Sequence, residues 1–469
     1  MTTNVLRRTV FLGVIGAWLG TWHGSAGAAG FQLIEQNASG LGNAYAGQAA
    51  AAEDASVIYF NPAGLPNTGH GQVVGALSLV RPSSRFDNGG SCTPYVGTGV
   101  GTSTCPFGPN GNLGHAARGN GRNAGDWAGI PNVYLSWEVL RSTLWLGLGL
   151  NVPFGLKTEW DANWVGRFHA IKSEVLTVNI NPTVAWKIND MFSVGAGFNA
   201  QRLEAELSQA VSYRAVALST GIAAIIAGTP AGSEGMFKLT ANDWAWGWNA
   251  GVMVNFSPAT RLGLSYRSRL KYTVGGDASF GDRPAALGVV PNVADGHVKA
   301  DIELPDTLSV AAAHQLTPQI QLLADFTWTR WDSIQDVKII RTNGPLSGQT
   351  LSTLELHFRD SWRVGLGANY QLTPQWKLRG GVAFDKSPVR DGFRTPRLPD
   401  EDRTWLAAGA QWAVTPTTVL DFGLAHLFVK NASSNLVNQE TATSAPRGSL
   451  VGHYDANVWI LGGQIRWSF

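Results

Sequence analysis

The last strand of the chain constrains it most. Trp459, Leu461, Gly463, Ile465, Trp467 and Phe469 alternate with Val458, Ile460, Gly462, Gln464, Arg466 and Ser468. A period of two is the period of a strand. One face is large and apolar, and the other is smaller or polar. A terminal strand of this kind, ending on Phe469, fits a transmembrane β-barrel whose apolar row meets lipid. The last strand of a soluble sandwich would have the same local period. The pattern recurs along most of the chain, however, and that recurrence argues for the barrel.

Composition agrees. Only 14% of the 469 residues are charged, and there are 56 Gly and 19 Trp. Lumen and lipid faces average out in a barrel, so no long apolar run is required. A net charge of +2 implies no bulk attraction to nucleic acid. Residues 1–28 read as a secretory signal. Arg7 and Arg8 are its basic region, Val10 to Leu19 its apolar core, and Ala26-Gly27-Ala28 a small-residue cleavage site before Ala29. Cys92 and Cys105 are the only cysteines, and in an exported chain they read as a disulfide stapling a surface loop.

The alternation divides residues 70–469 into fourteen antiparallel strands: 70–82, 130–141, 143–158, 172–188, 191–207, 242–256, 261–280, 297–316, 319–341, 351–373, 376–389, 403–415, 417–432 and 450–469. An even number brings both termini to the same side. Short turns such as Ser257-Pro258-Ala259, Thr317-Pro318-Gln319, Thr373-Pro374-Gln375, Thr415-Pro416-Thr417 and Asn189-Asp190 alternate with long loops. Trp244, Trp246, Trp248, Ala250, Val252, Val254 and Phe256 should face lipid, with Asn249, Gly251 and Asn255 facing the lumen. In the tenth strand Trp362, Val364, Leu366, Ala368, Tyr370 and Leu372 should face out, and Arg363 and Asn369 in. In the fifth strand the outer end reverses polarity. Constant parity turns Leu203, Ala205 and Leu207 into an apolar upper lumen, and Arg202, Glu204 and Glu206 outward. A bulge would shift this parity instead.

Residues 29–69 do not alternate. They contain Ser39-Gly40-Leu41-Gly42, Ala44-Tyr45-Ala46-Gly47, Asp54-Ala55 and Asn61-Pro62-Ala63. This stretch either plugs the lumen or extends below it. Together with Ala29-Gly30-Phe31-Gln32-Leu33, Phe154-Gly155-Leu156, Gly247-Trp248-Asn249-Ala250-Gly251, Tyr266-Arg267-Ser268, Leu304-Pro305, Phe384-Asp385, Ser387-Pro388-Val389, Pro399-Asp400 and Asp402-Arg403, these motifs give a chain that resembles the FadL family. That family comprises outer-membrane transporters of long-chain fatty acids and uptake channels for aromatic hydrocarbons. The resemblance covers nearly all of the mature chain and keeps its order.

The resemblance implies an all-β, fourteen-stranded barrel in the bacterial outer membrane. Residues 29–69 would be a hatch inside the barrel of 70–469, with Asn61, Pro62 and Ala63 as its hallmark. It implies extracellular capture of a hydrophobic small molecule, lumen binding and exit through a side opening in the third strand. The expected surroundings are outer-membrane lipid and lipopolysaccharide, the barrel-assembly machinery inserts the chain, and it acts as a monomer. No cofactor or metal is expected. Pro153, Phe154 and Gly155 mark the opening, since Pro removes a ladder donor and Gly weakens a strand. Candidate ligand contacts are Phe31, Leu203, Ala205, Leu207, His357 and Arg359. The two basic residues that the family's fatty-acid binders place near a carboxylate align with Gln209 and Leu354 here. Lumen-parity cations that could replace them are Arg359, His357, Arg267 and Arg269. Without a cation, a neutral hydrocarbon or alkane would fit better. A barrel enzyme is disfavoured because no G-x-S-x-G motif is present. A general porin would lack the hatch and keep a polar lumen, and an adhesin would put its information in the loops.

Overall fold

The computed structural model describes residues 30–91, 94, 119–436 and 447–469. The proposed signal at 1–28, Cys92 and Cys105 lie outside these residues, so the expected disulfide does too. The chain forms one closed antiparallel barrel of fourteen strands. Strand β1 (Gly71–Asn88) pairs with β20 (Leu450–Ser468), placing Val73 opposite Trp467, and this seam closes the wall. Closure is what lipid demands, because an open edge would leave backbone groups without partners.

The fourteen strands are built from twenty segments. Unbroken ones include β2 (Ala128–Leu140), β5 (Lys172–Lys187), β6 (Phe192–Ser212) and β7 (Glu234–Ser257). Six strands are interrupted. The third is β3 (Leu144–Asn151) and β4 (Gly155–Glu159), the seventh β8 (Thr260–Arg267) and β9 (Leu270–Phe280), and the eighth β10 (Gly296–Leu304) and β11 (Thr307–Gln315). The ninth is β12 (Ile320–Thr329) and β13 (Asp336–Arg341), and the tenth β14 (Thr350–Glu355) and β15 (Ser361–Gln371). After β16 (Trp376–Asp385) and β17 (Arg403–Ala413), the thirteenth is β18 (Thr418–Val429) and β19 (Ala432–Leu436). Sequence reasoning singled out the third strand alone. Most of the other breaks carry no adjacent Pro and Gly, so nothing local announces them.

Facing follows parity. Trp246 is 62% exposed and Asn249 1%, as expected for lipid and lumen positions. The β6–β7 ladder runs without a register shift from Phe192 to Ser212, so the polarity reversal in the fifth strand is genuine and not the product of a bulge. Several strands overshoot the expected limits. β7 begins at Glu234 and β6 ends at Ser212, so this part of the wall stands well above the lipid-facing Trp row.

Residues 38–67 form three one-turn helices, α1 (Ala38–Leu41), α2 (Gln48–Ala51) and α3 (Val57–Phe60), then a 3-10 helix over Pro62–Asn67. They lie against lumen-facing glycines of the wall. A Cβ on Gly263 would fall 1.9 Å from the Ala49 carbonyl oxygen, one on Gly251 2.0 Å from Asn61 Oδ1, and one on Gly381 2.1 Å from the Asn43 carbonyl oxygen. The wall thus gives up side chains along the track where the N-terminal segment approaches. Gly263→Leu should displace α2 at a cost of roughly 1–3 kcal/mol, the usual scale for overpacking. The barrel should still migrate as a heat-modifiable folded band, while proteolysis within 38–67 rises. An unchanged digest would show that this close packing is dispensable.

Candidate functional site

The upper half of the lumen is apolar. A single buried cluster descends from Val211, Tyr213 and Val216 through Phe237, Leu239 and Leu203 to Phe31, Phe154 and Trp331. Leu203 is fully inside it, and Ala205 and Leu207 pack on it. The loop after β6 contributes two helices, α4 (Tyr213–Thr220) and α5 (Ala223–Ala227). Gly221, at φ 67°, splits them. Val216, Ala217 and Ile225 from these helices belong to the same cluster, so the loop covers the top of the column.

The floor of the column is aromatic. Phe31 lies 5.0 Å from Trp331 and 5.9 Å from Phe154, ring centroid to centroid, and Phe358 lies 5.8 Å from Trp331. Each of these rings comes from an irregular segment: the N-terminal stretch or a break in the third, ninth or tenth strand. The interruptions bring side chains inward that a regular strand would hold along the wall.

The third-strand break has its own construction. Asn151 pairs with Asn179 and Gly155 with Leu176, so three residues, 152–154, oppose two, 177–178. One extra residue bends the strand and exchanges its faces. On the other side, the ladder with β2 stops at the Val133–Leu150 pair. The N-terminal segment takes its place. Leu33 N donates to the Pro153 carbonyl at 2.7 Å, Gly155 N donates to the Phe31 carbonyl at 2.9 Å, and Gln32 bridges Phe154. Asn132 Oδ1 accepts from Val152 N at 3.3 Å, and Gln36 Nε2 donates to the Val152 carbonyl at 3.0 Å. The gap between the second and third strands is therefore stitched from inside.

Below, the segment is held by polar contacts. Asn61 Nδ2 donates to the carbonyls of Ala49 (2.8 Å) and Val252 (3.1 Å), and its Oδ1 accepts from Ala63 N at 3.1 Å. Pro62 opens the 3-10 helix, where a missing N–H costs nothing. Arg379 lies between Glu53 (2.7 Å) and Asp421 (3.0 Å). Arg363 pairs with Asp325 and donates to the Ala44 carbonyl. A cavity of about 90 Å³ lies beside these groups, lined by Gln32, Gln48, Arg267, Asp325 and Arg363 among others.

The cations that parity points to are engaged elsewhere. Arg267 donates to Asn199 Oδ1 (2.6 Å) and the Tyr59 carbonyl (2.9 Å), with its guanidinium 4.3 Å from the Tyr59 ring centre. Arg269 pairs with Glu303 and Asp306. His357 lies 3.4 Å from Asp336 and against Phe393, and Arg359 Nε donates to the Ser387 carbonyl. Sequence reasoning missed Glu35. It is fully buried, neither carboxylate oxygen has a partner, and its own carbonyl accepts from Asn132 Nδ2 at 2.9 Å beside the gap. Burial pushes its carboxyl up to about 7, while Arg403 and Arg363 pull it down and Asp385 pushes it up.

The profile of a family described as outer membrane protein transport protein (OMPP1/FadL/TodX) matches residues 20–469. Outer membrane protein P1 of Haemophilus influenzae is 32% identical over 86% of this chain and 87% of its own. A long-chain fatty acid transport protein of Escherichia coli is 27% identical over 95% of each chain. A Pseudomonas aeruginosa FadL homologue superimposes with a TM-score of 0.81 at 25% identity, covering 94% of this chain and all of its own. The Pseudomonas putida toluene transporter TodX gives 0.62 at 14% identity, covering 89% of this chain and 94% of its own, and so shares the fold.

Glu35 predicts a pH dependence. Its carboxyl is neutral in the seated segment up to about pH 7, whereas a solvated Glu ionises near 4.5. Seating is therefore unpenalised below pH 4.5 and weakens as pH rises from 4.5 to 7. Tyr45 and Tyr59 of the same segment also feel its charge. In planar bilayers, opening events should be more frequent at pH 7.5 than at pH 5, both values being set in that experiment by this window. Glu35→Gln should flatten the difference. A wild-type conductance that ignores pH would contradict the assignment.

Proposed function

The chain belongs to the OMPP1/FadL/TodX family of outer-membrane transport proteins, whose members are passive channels for hydrophobic compounds and not enzymes, and we propose that its own cargo is a long-chain fatty acid. The molecule is captured above α4 and α5, descends the apolar column, and leaves sideways between the second and third strands. Residues 29–69 act as the hatch that closes the lumen below. The expected surroundings are outer-membrane lipid and lipopolysaccharide, with assembly by the barrel machinery as a monomer.

The observation that carries this reading is the continuity of the column. It begins under the loop helices and ends on Phe31 and Phe154, at the strand break. From Val211 to Leu203 the wall rises roughly 26 Å at a strand's 3.3 Å per residue, a length that suits an extended chain better than a single ring. Burying methylenes along it supplies roughly 0.8 kcal/mol each. An apolar cargo that exits sideways enters lipid without crossing water. Gln209 and Leu354, standing where basic residues were expected, favour the second reading, a neutral aromatic hydrocarbon or alkane.

Deleting Pro153 tests the route. Removing the extra residue restores one-to-one pairing with β5 and keeps Leu156 facing inward. The barrel should fold. Palmitate uptake by cells should fall by roughly tenfold or more, equivalent to about 1.4 kcal/mol on the exit barrier. Surface binding should persist. Uptake at the wild-type rate would rule out the lateral route, and faster uptake of toluene than of palmitate by the native chain would favour the second reading.

A further inference from the structure

Most buried arginines near the lumen have carboxylate partners: Arg379 has Glu53 and Asp421, Arg363 has Asp325, Arg394 has Glu401, and Arg403 has Asp400. Arg341, also buried, is spent on the Ala294 and Asn292 carbonyls, and two arginines of the outer loops, one buried and one half-buried, lack a carboxylate as well. Arg397, in the loop between β16 and β17, is buried and donates only to neutral groups: Ser173 Oγ at 3.0 Å, Gln209 Oε1 at 2.7 Å and the Lys172 carbonyl at 3.4 Å. Arg447, just before β20, donates to Ser352 Oγ at 2.9 Å, and its Nε is buried without a partner. His169, from the loop before β5, is buried beside them with Nε2 unpartnered. None of the three has an ion pair among the described residues.

They act on one another. Burial, then Arg447, pulls the Arg397 guanidinium down to about 9. Burial, then Arg447 and Arg397, pulls the His169 imidazole down to about 3. Glu355 is the one acid that offsets burial at Arg447. Like charges held out of water without a paired counter-ion are costly, and that cost is relieved when an anion enters. The cluster also sits at the head of the apolar column. Leu398, next to Arg397, and Leu351, next to Ser352, are column residues, and Leu207 pairs with the Ser173 that Arg397 touches. Arg397 thus holds Gln209, one of the two positions where the sequence lacks a base, and Arg447 holds Ser352, two residues along β14 from the other, Leu354.

We propose that Arg397 and Arg447, with His169 beside them, form the seat for the ionised head of the transported chain, a single carboxylate whose alkyl tail enters the column. This rests on the long-chain reading above and would make the channel selective for acids over neutral hydrocarbons. A carboxylate can accept from both guanidinium groups at once, and such charge-assisted bonds are the strong ones. The column then takes the tail in one orientation, head outward.

Binding of palmitate and of hexadecanol to the purified full chain separates head from tail. Arg397→Gln and Arg447→Gln should each weaken palmitate by roughly tenfold or more, the effect of losing one hydrogen bond to a charged group. Hexadecanol should bind all variants as it binds the native chain. With carboxyl-labelled palmitate, the native chain should hold the bound carboxyl ionised to lower pH than the double variant does. A double variant that binds palmitate like the native chain overturns the seat, as does an equal loss of palmitate and hexadecanol. If the native chain binds neither probe, the long-chain reading falls instead.

Discussion

Every backbone N–H and C=O at membrane depth needs a partner, because lipid supplies none. The seam between β1 and β20 meets that demand for the wall as a whole. The third strand defies it locally, with one surplus residue at 152–154 and no β2 partner beyond Leu150. The debt at Pro153 and Gly155 is met by Leu33 and Phe31. The wall is therefore incomplete without Phe31 and Leu33, and the backbone of those residues is tied at the break. Any opening of the wall at this point would have to break the bonds to the N-terminal segment.

What holds that segment lower down is of a different kind. Glycines let its backbone approach the wall, and asparagines and ion pairs fix its register. Asn249 donates to the Ile58 carbonyl and accepts from Asn181 and Asn199, so three neighbouring strands converge on one hatch carbonyl. Arg379 is flanked by a hatch acid and a wall acid. Buried ion pairs contribute little net stability but strongly penalise wrong arrangements, since a displaced partner leaves a bare charge. The lower lumen is specified by polar complementarity, and the column above it, below its polar head, by apolar contact. The first suits a part that must return to one place, and the second a surface that must accept a sliding chain.

Much of this was legible in the residue order. The outward rows from Trp244 to Phe256 and from Trp362 to Leu372 followed from parity, as did the inward turn of Leu203, because a two-residue period survives wherever the ladder is regular. Pro153 and Gly155 marked a real break. The breaks after Arg267 and Thr329 were invisible, since they depend on what the lumen must accommodate and not on local propensity. The same holds for the third-strand surplus residue, which shows only when β3 and β4 are both aligned with β5. Arg397, Arg447 and His169 lie in loops, where no period tells inside from outside, so parity led instead to Arg267 and Arg269, which are already partnered. Glu35 lacked any signal beyond being a charge in a stretch of small residues.

Gly30 is buried, its N–H donates to Asp400 Oδ2 at 2.8 Å, and a Cβ there would lie 2.7 Å from the Trp331 ring. The residue that completes the ladder is thus one step from a position with no free volume around it. A side chain at position 30 would press on that ring, push Phe31 out of place and leave the Gly155 amide bare in the wall. The last backbone hydrogen bonds of the β-sheet thus hang on a missing methyl group: what residue 30 lacks lets its neighbour finish the sheet.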